Sequence, residues 1–160
     1  MKLKITVKKQ FPYQAAGRIW VIPTLKFVTG PDATLGISSQ ELERVHKAIA
    51  NEICGNGAAL TKDDLEFLCG ISALSFSEVA SRCGFNRANI SYWRKKGAVN
   101  DRDSLLLKRF FWINLFSEEI TTLESLSVKI LLSEKEVLST LRNEAIREDV
   151  TFEVKLVKAS

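Results

Sequence analysis

Four positions between Ser75 and Lys96 constrain this chain more than any other feature: Ala80, Gly84, Ile90 and Trp93, spaced Ala-x3-Gly-x5-Ile-x2-Trp. Two short helices crossing at a tight turn use all four. Ala80 suits the point of closest approach, where a larger side chain would push the helices apart. Gly84 suits the end of the first helix, which calls for a left-handed backbone that a Cβ resists. Val79, Phe85, Ile90 and Trp93 then fill the wedge between the helices. Ser75-x-x-Glu78 reads as a capping box opening the first helix. Asn86 reads as the cap of a second helix over 87–96. The expected unit is a helix-turn-helix over residues 75–96.

With that wedge buried, Asn86, Arg87, Ala88, Ser91 and Tyr92 are left on the free face of the second helix. These types suit a major groove: Arg pairs with two acceptors of guanine, Asn with adenine, and Ala88 can touch a thymine methyl. Ser75, Arg94, Lys95, Lys96 and Arg102 are the expected phosphate contacts. Charge supports a polyanion as partner. The net charge is only +4, yet five bases (Arg82, Arg87, Arg94, Lys95, Lys96) and no acid lie between Glu78 and Asp101. A local basic run in a near-neutral chain points to a patch rather than a general coating of charge.

The rest of the chain, 160 residues and 46% apolar in all, organises around this unit. Residues 2–8 alternate polar and apolar, as a strand with one wet face does. Residues 18–28 read as a second strand, broken or bulged at Pro23, and Gly30-Pro31-Asp32 as a turn. Ser38-x-x-Glu41 opens a helix carrying Leu42, Val45, Ile49 and Ile53, ended at Gly55-Asn56-Gly57. Thr61-x-x-Asp64 opens another, and Asp101 begins one that runs to about Phe116. Residues 119–132 fit helix or strand, Ser133-x-x-Glu136 opens a helix to about Arg147, and 150–157 alternate as a closing strand for the N-terminal strands. The expected class is α+β: a β-rich module over 1–37, a linker helix over 38–59, a helix-turn-helix domain over 60–116, and a mixed C-terminal segment over 117–160.

The segment from residue 60 to about 112 resembles the five-helix DNA-binding domain of the lambda-repressor/Cro (XRE) type. That resemblance implies base-reading positions at Arg87, Ala88 and Tyr92, with Asn86 beside them. A phosphate-contacting Gln is frequent in that family where this chain has Phe76, so that contact does not carry over. Residues 41–50 (Glu-Leu-Glu-Arg-Val-His-Lys-Ala-Ile-Ala) and 60–68 (Leu-Thr-Lys-Asp-Asp-Leu-Glu-Phe-Leu) are further similar to the linker and first helix of MqsA-type antitoxins, over about residues 38–112. Those proteins join an N-terminal zinc domain to a helix-turn-helix, dimerise on DNA, neutralise a partner toxin and repress their own operon. The resemblance implies an autorepressing homodimer on a double-stranded operator, with a cognate toxin. Their zinc domain needs paired C-x-x-C motifs, and no cysteine precedes Cys54. The N-terminal module is therefore expected to hold itself together without metal, and the tail from Ser117 is an addition.

Other chemistry is poorly supplied. Cys54, Cys69 and Cys83 sit in apolar, helix-like surroundings and read as small buried hydrophobes of a reducing compartment. The single His46 cannot complete a zinc site with them. No phosphate-binding glycine loop and no G-x-S-x-G occur, and Asp63-Asp64 reads as an acidic first helical turn. The expectation is a non-enzyme without cofactor or metal. Lacking a signal peptide and any 18-residue apolar run, it is expected in the cytoplasm. Phe11, Tyr13 and Trp20 near Lys8, Lys9 and Arg18 fit a single-strand platform or, preferably, strand core with a solvated edge. The run Phe110-Phe111-Trp112-Ile113-x-Leu115-Phe116 exceeds what one helix face needs, as core plus dimer seam would require. Two alternatives stand beside the antitoxin reading: a phage or mobile-element repressor without a toxin, and a protein–protein adaptor with a degenerate helix-turn-helix.

Overall fold

A computed structural model describes residues 3–116 and 155–157. The described residues are α+β, with five helices and an antiparallel sheet of three N-terminal strands joined by a short fourth. Strands β1 (Lys4–Ala15) and β2 (Arg18–Thr29) form a long hairpin, and β3 (Leu35–Gly36) pairs with Val28 and Thr29. β1 continues well beyond the residue 8 expected from its alternation. The hairpin turns on Ala16 and Gly17, both at positive φ (51° and 68°), as the tight two-residue turn that matches strand twist requires.

Pro23 does not break β2. The ladder runs Lys9↔Thr24 and then Phe11↔Ile22, leaving Gln10 opposite Pro23 as one unpaired rung. Proline has no N–H to give there, and Gln10 adopts φ 51°. The buried side chains of β2 are Trp20 and Ile22, then Leu25 and Phe27. Their parity changes across the rung. The same change occurs on β1, where Lys8 lies over the rings of both Phe11 and Phe27. Each strand thus carries one extra residue at the same level, and the apolar set stays on one face on both sides of it.

The second edge of β2 is satisfied in three parts. β3 pairs at one end, and β4 (Lys155–Val157) pairs antiparallel with Ile19, Trp20 and Val21 at the other. Between them helix α1 (Ser39–Gly55) supplies side chains: Arg44 Nη2 donates to the Thr24 carbonyl at 2.9 Å and the Lys26 N–H donates to Glu41 Oε1 at 3.0 Å. Glu41 and Arg44 are themselves an ion pair. The expected capping box at Ser38 is therefore half used. Ser38 Oγ accepts from the Glu41 N–H, while the Glu41 carboxylate turns to the sheet.

Helices α2 (Lys62–Ser72), α3 (Phe76–Arg82), α4 (Arg87–Lys96) and α5 (Asp101–Leu115) follow. Four helices, not five, lie within 60–116; the fifth is α1. The described residues fall into two compact units, 3–49 with 155–157, and 50–116. The division falls inside α1, within the residues 38–59 expected as a linker helix. The helical unit is cored by Ile53, Leu60, Leu65, Leu68, Val79, Ala80, Leu107, Phe111 and Trp112, all nearly inaccessible. Trp112 Nε1 donates to Asn51 Oδ1 at 3.3 Å. The buried Ser104 hydroxyl accepts from the Leu60 N–H and donates to the Val99 carbonyl. The expectations for 119–132 and 133–147 lie outside the described residues, as does most of the expected strand at 150–157.

Candidate nucleic-acid interface

Helix α3 ends as its sequence demands. Gly84 has φ 78°, its N–H donates to the Ser81 carbonyl and the Phe85 N–H to the Ala80 carbonyl, the paired bonds that close a helix on a left-handed residue. The chain is then free to leave at a sharp angle. Val79 and Ala80 of α3, and Ile90 and Trp93 of α4, are buried. Phe85 meets Trp93 edge to face at 5.0 Å between ring centroids. The turn between the helices is therefore wedged by the side chains the spacing singled out.

The far end of α4 is pinned as well. Gly97 (φ 76°) caps it by donating to the Trp93 carbonyl. The Gly97 carbonyl accepts from the Lys62 N–H, and the Val99 N–H donates to the Leu60 carbonyl. The C-terminal end of α4 is thus tied by backbone bonds, and Lys95 and Lys96 ride on a fixed stem.

Ala88, Ser91, Tyr92 and Lys95 share the outward face of α4, at the spacing of one helical stripe. All four are exposed, Tyr92 at 51%. Arg87 and Arg94, seven residues apart, flank this face on one side, and both are exposed. Lys96 flanks it on the other, with its ammonium 5.7 Å from the centre of the Tyr92 ring. Arg102 is exposed on the first turn of α5, between Asp101 and Asp103. The structure brings Arg87, Ala88, Ser91, Tyr92, Arg94, Lys95 and Lys96 onto one helix.

Two of the expected contacts are engaged elsewhere. Asn86 Oδ1 accepts from the Asn89 N–H at 3.1 Å, and Asn89 Oδ1 accepts from the Asn86 N–H at 3.0 Å. A paired contact to adenine needs both the oxygen and the nitrogen of an Asn amide; here the oxygen holds the helix start. Ser75 gives both its donors to Glu78, the N–H at 2.7 Å and the hydroxyl at 2.8 Å, each to Oε2. The Ser75 N–H and hydroxyl hold the Glu78 carboxyl below its usual range. A carboxylate at that helix start repels phosphate, so Ser75 is a cap before it is an anion contact.

Sequence reasoning missed the partner of Arg94. Its guanidinium lies 4.8 Å from the centre of the Phe76 ring. Phe76, half-buried at the first position of α3, stood out only as a departure from a family pattern. A stacking pair formed across a turn leaves no periodic trace in a sequence.

The remaining reactive groups face inward. Burial pushes the Cys54 and Cys69 thiols up to about 12 and raises Cys83 as well. Trp20 is 1% exposed and Phe11 and Tyr13 are half-buried, so Trp20 belongs to the core and offers no open stacking face. Tyr13 Oη and His46 Nε2 are 2.7 Å apart, and burial lowers the His46 pKa. Among the described residues no group of three or more His, Cys, Asp or Glu side chains is placed to hold a metal ion. None of the described helices is long and apolar enough to cross a membrane. Comparison with family models, with curated proteins and with solved structures finds no match to this chain.

Proposed function

We propose that the protein is a sequence-specific DNA-binding regulator that reads the major groove through α4. The observation that carries this is the outward face of α4: exposed Arg87, Ala88, Ser91, Tyr92 and Lys95, on a helix seated by buried Ile90 and Trp93, in an acid-free stretch. In this reading α3–α4 is a helix-turn-helix of the lambda-repressor/Cro kind. Arg87 reads bases, with Ala88, Ser91 and Tyr92 beside it. Arg94, Lys95, Lys96 and Arg102 contact phosphate, and Asn86 supports α4 from its cap. Helix α5 offers a self-association surface, since Leu106 (39% exposed), half-buried Phe110 and Ile113 (44% exposed) form one stripe. A homodimer on two half-sites follows the usual geometry of such readers. The likeness of residues 38–112 to MqsA-type antitoxins supports the narrower role of an autorepressing antitoxin without the zinc module.

A gel shift of the full chain on duplex DNA from its own upstream region tests the reading. Specific binding at low salt is expected. Arg87→Ala is expected to cost about 1–3 kcal/mol of discrimination between operator and scrambled duplex, and Lys95→Ala to weaken both alike and flatten the salt dependence. Absence of any shift at low salt, or an Arg87→Ala variant with full discrimination, sinks it. A second reading, a protein–protein adaptor, is favoured by the start of the hairpin, where Leu3 (64%), just ahead of β1, and Ile5 (64%) and Val7 (50%) within it are exposed. Co-purification of a partner protein by a chain without DNA affinity would select it.

A further inference from the structure

A guanidinium can be held without using its hydrogen bonds. Stacked on an aromatic face, it keeps all five N–H donors at its rim, free for an anion. Arg94 is held in this way by Phe76, at 4.8 Å from the ring centre. The two residues come from different helices: Phe76 opens α3 and Arg94 lies on the last turn of α4. The ring is anchored, being half-buried, while the guanidinium end is exposed. No carboxylate of the described residues is ion-paired with Arg94. Arg94 also flanks the same outward face as Arg87, two helical turns away.

The helix start beside it is a poor anion contact by itself. Ser75 has spent its donors on Glu78, whose carboxylate is negative there. Any phosphate passing this side of α4 must therefore be met by a side chain, and the one in place is Arg94. We infer that Phe76 is a positioning residue: it fixes the plane and direction of Arg94 so that the guanidinium meets a backbone phosphate of the duplex lying on α4. This rests on the DNA-binding reading above and adds to it a specific anchor, built from a residue that itself touches no DNA. A freely rotating arginine must be ordered when it binds; a stacked one is ordered beforehand.

The test is fluorescence anisotropy of the full chain on its own upstream duplex and on a scrambled duplex, each over a salt series. Arg94→Ala should weaken both duplexes alike and reduce the slope of log affinity against log salt by about 0.9 for each protomer bound. Phe76→Ala and Phe76→Leu should weaken both duplexes about two- to fivefold, the strength of an exposed cation–π contact. Phe76→Tyr should bind as the wild type. In an Arg94→Ala background, Phe76→Ala should have no further effect. The Leu–Tyr comparison separates an aromatic face from mere apolar bulk, and it carries the test if the Ala variant fails to fold by circular dichroism. Wild-type affinity in Phe76→Leu overturns the inference while leaving the DNA reading intact. So does an undiminished effect of Phe76→Ala without Arg94, or a change in sequence preference instead of overall affinity. If the wild type binds neither duplex at low salt, both fall.

Discussion

The ends of α2 and α3 each turn on a single residue with left-handed backbone. Gly84, at φ 78°, ends α3, and a Cβ built there meets nothing within 4 Å. The cost of a side chain is therefore purely conformational. Gly84→Ala should lower stability by about 1 kcal/mol. Ala73 stands at the equivalent place after α2, at φ 54°, with the Leu74 N–H donating to the Cys69 carbonyl and its own to Gly70. There the side chain is already strained, and Ala73→Gly should raise stability by up to about 1 kcal/mol, less what the freer unfolded chain takes back. Urea titrations of both variants check the pair; equal midpoints for all three proteins would show that neither turn is strained. Glycine announces such a position and alanine does not. For that reason the end of α3 was legible, while the end of α2 was not.

Helix starts were the most legible elements, because each is written within four residues. Thr61 with Asp64, Ser75 with Glu78, and Asn86 ahead of α4 all cap as read. What local pattern could not show was a side chain recruited by a distant element. Glu41 left its capping box for the Lys26 amide of β2, and Arg44 reached the Thr24 carbonyl. Lys108 is the stronger case. After Leu105-Leu106-Leu107 it reads as the polar side of a helix, yet it is 4% exposed. Its ammonium donates to the Asn56 carbonyl, Asn56 Oδ1 and the Ala58 carbonyl, fastening α5 to the loop between α1 and α2. Lys108→Met keeps the stem and takes the ammonium away from the Asn56 and Ala58 carbonyls and from Asn56 Oδ1, which keeps the Ala58 N–H. A loss of about 2–3 kcal/mol in urea unfolding is expected. A loss below about 0.5 kcal/mol would mean that water replaces the ammonium and that the loop is held by its own turns.

At the scale of the molecule, class and the order of the described elements were legible; the two compact units divide within one unbroken helix, where no change of composition marks a border. The β-containing unit should also respond to acid in two stages. Burial lowers the His46 pKa below its ordinary 6.5, so the unfolded chain takes up a proton before the folded one does. The His46 contribution should be constant above about pH 6.5 and fall as pH drops from there towards the lowered value. Burial pushes the Glu41 carboxyl up, but Arg44 and the Lys26 amide outweigh it and hold the group below its ordinary 4.5. Its contribution should be full above that pH and lost below it. Denaturation midpoints from pH 8 to pH 4 should show both, and His46→Gln should remove only the first; an unchanged profile in that variant would reject the assignment. The hairpin of the same unit has a further property. Gln10 and Pro23 form a rung that shifts the phase of both strands together. It acts as a spacer that can be added or taken out only as a couple without leaving a one-sided bulge. Length changes in this hairpin should therefore come in matched pairs, one residue per strand, and the lineage of such a sheet would be traced by counting rungs rather than residues.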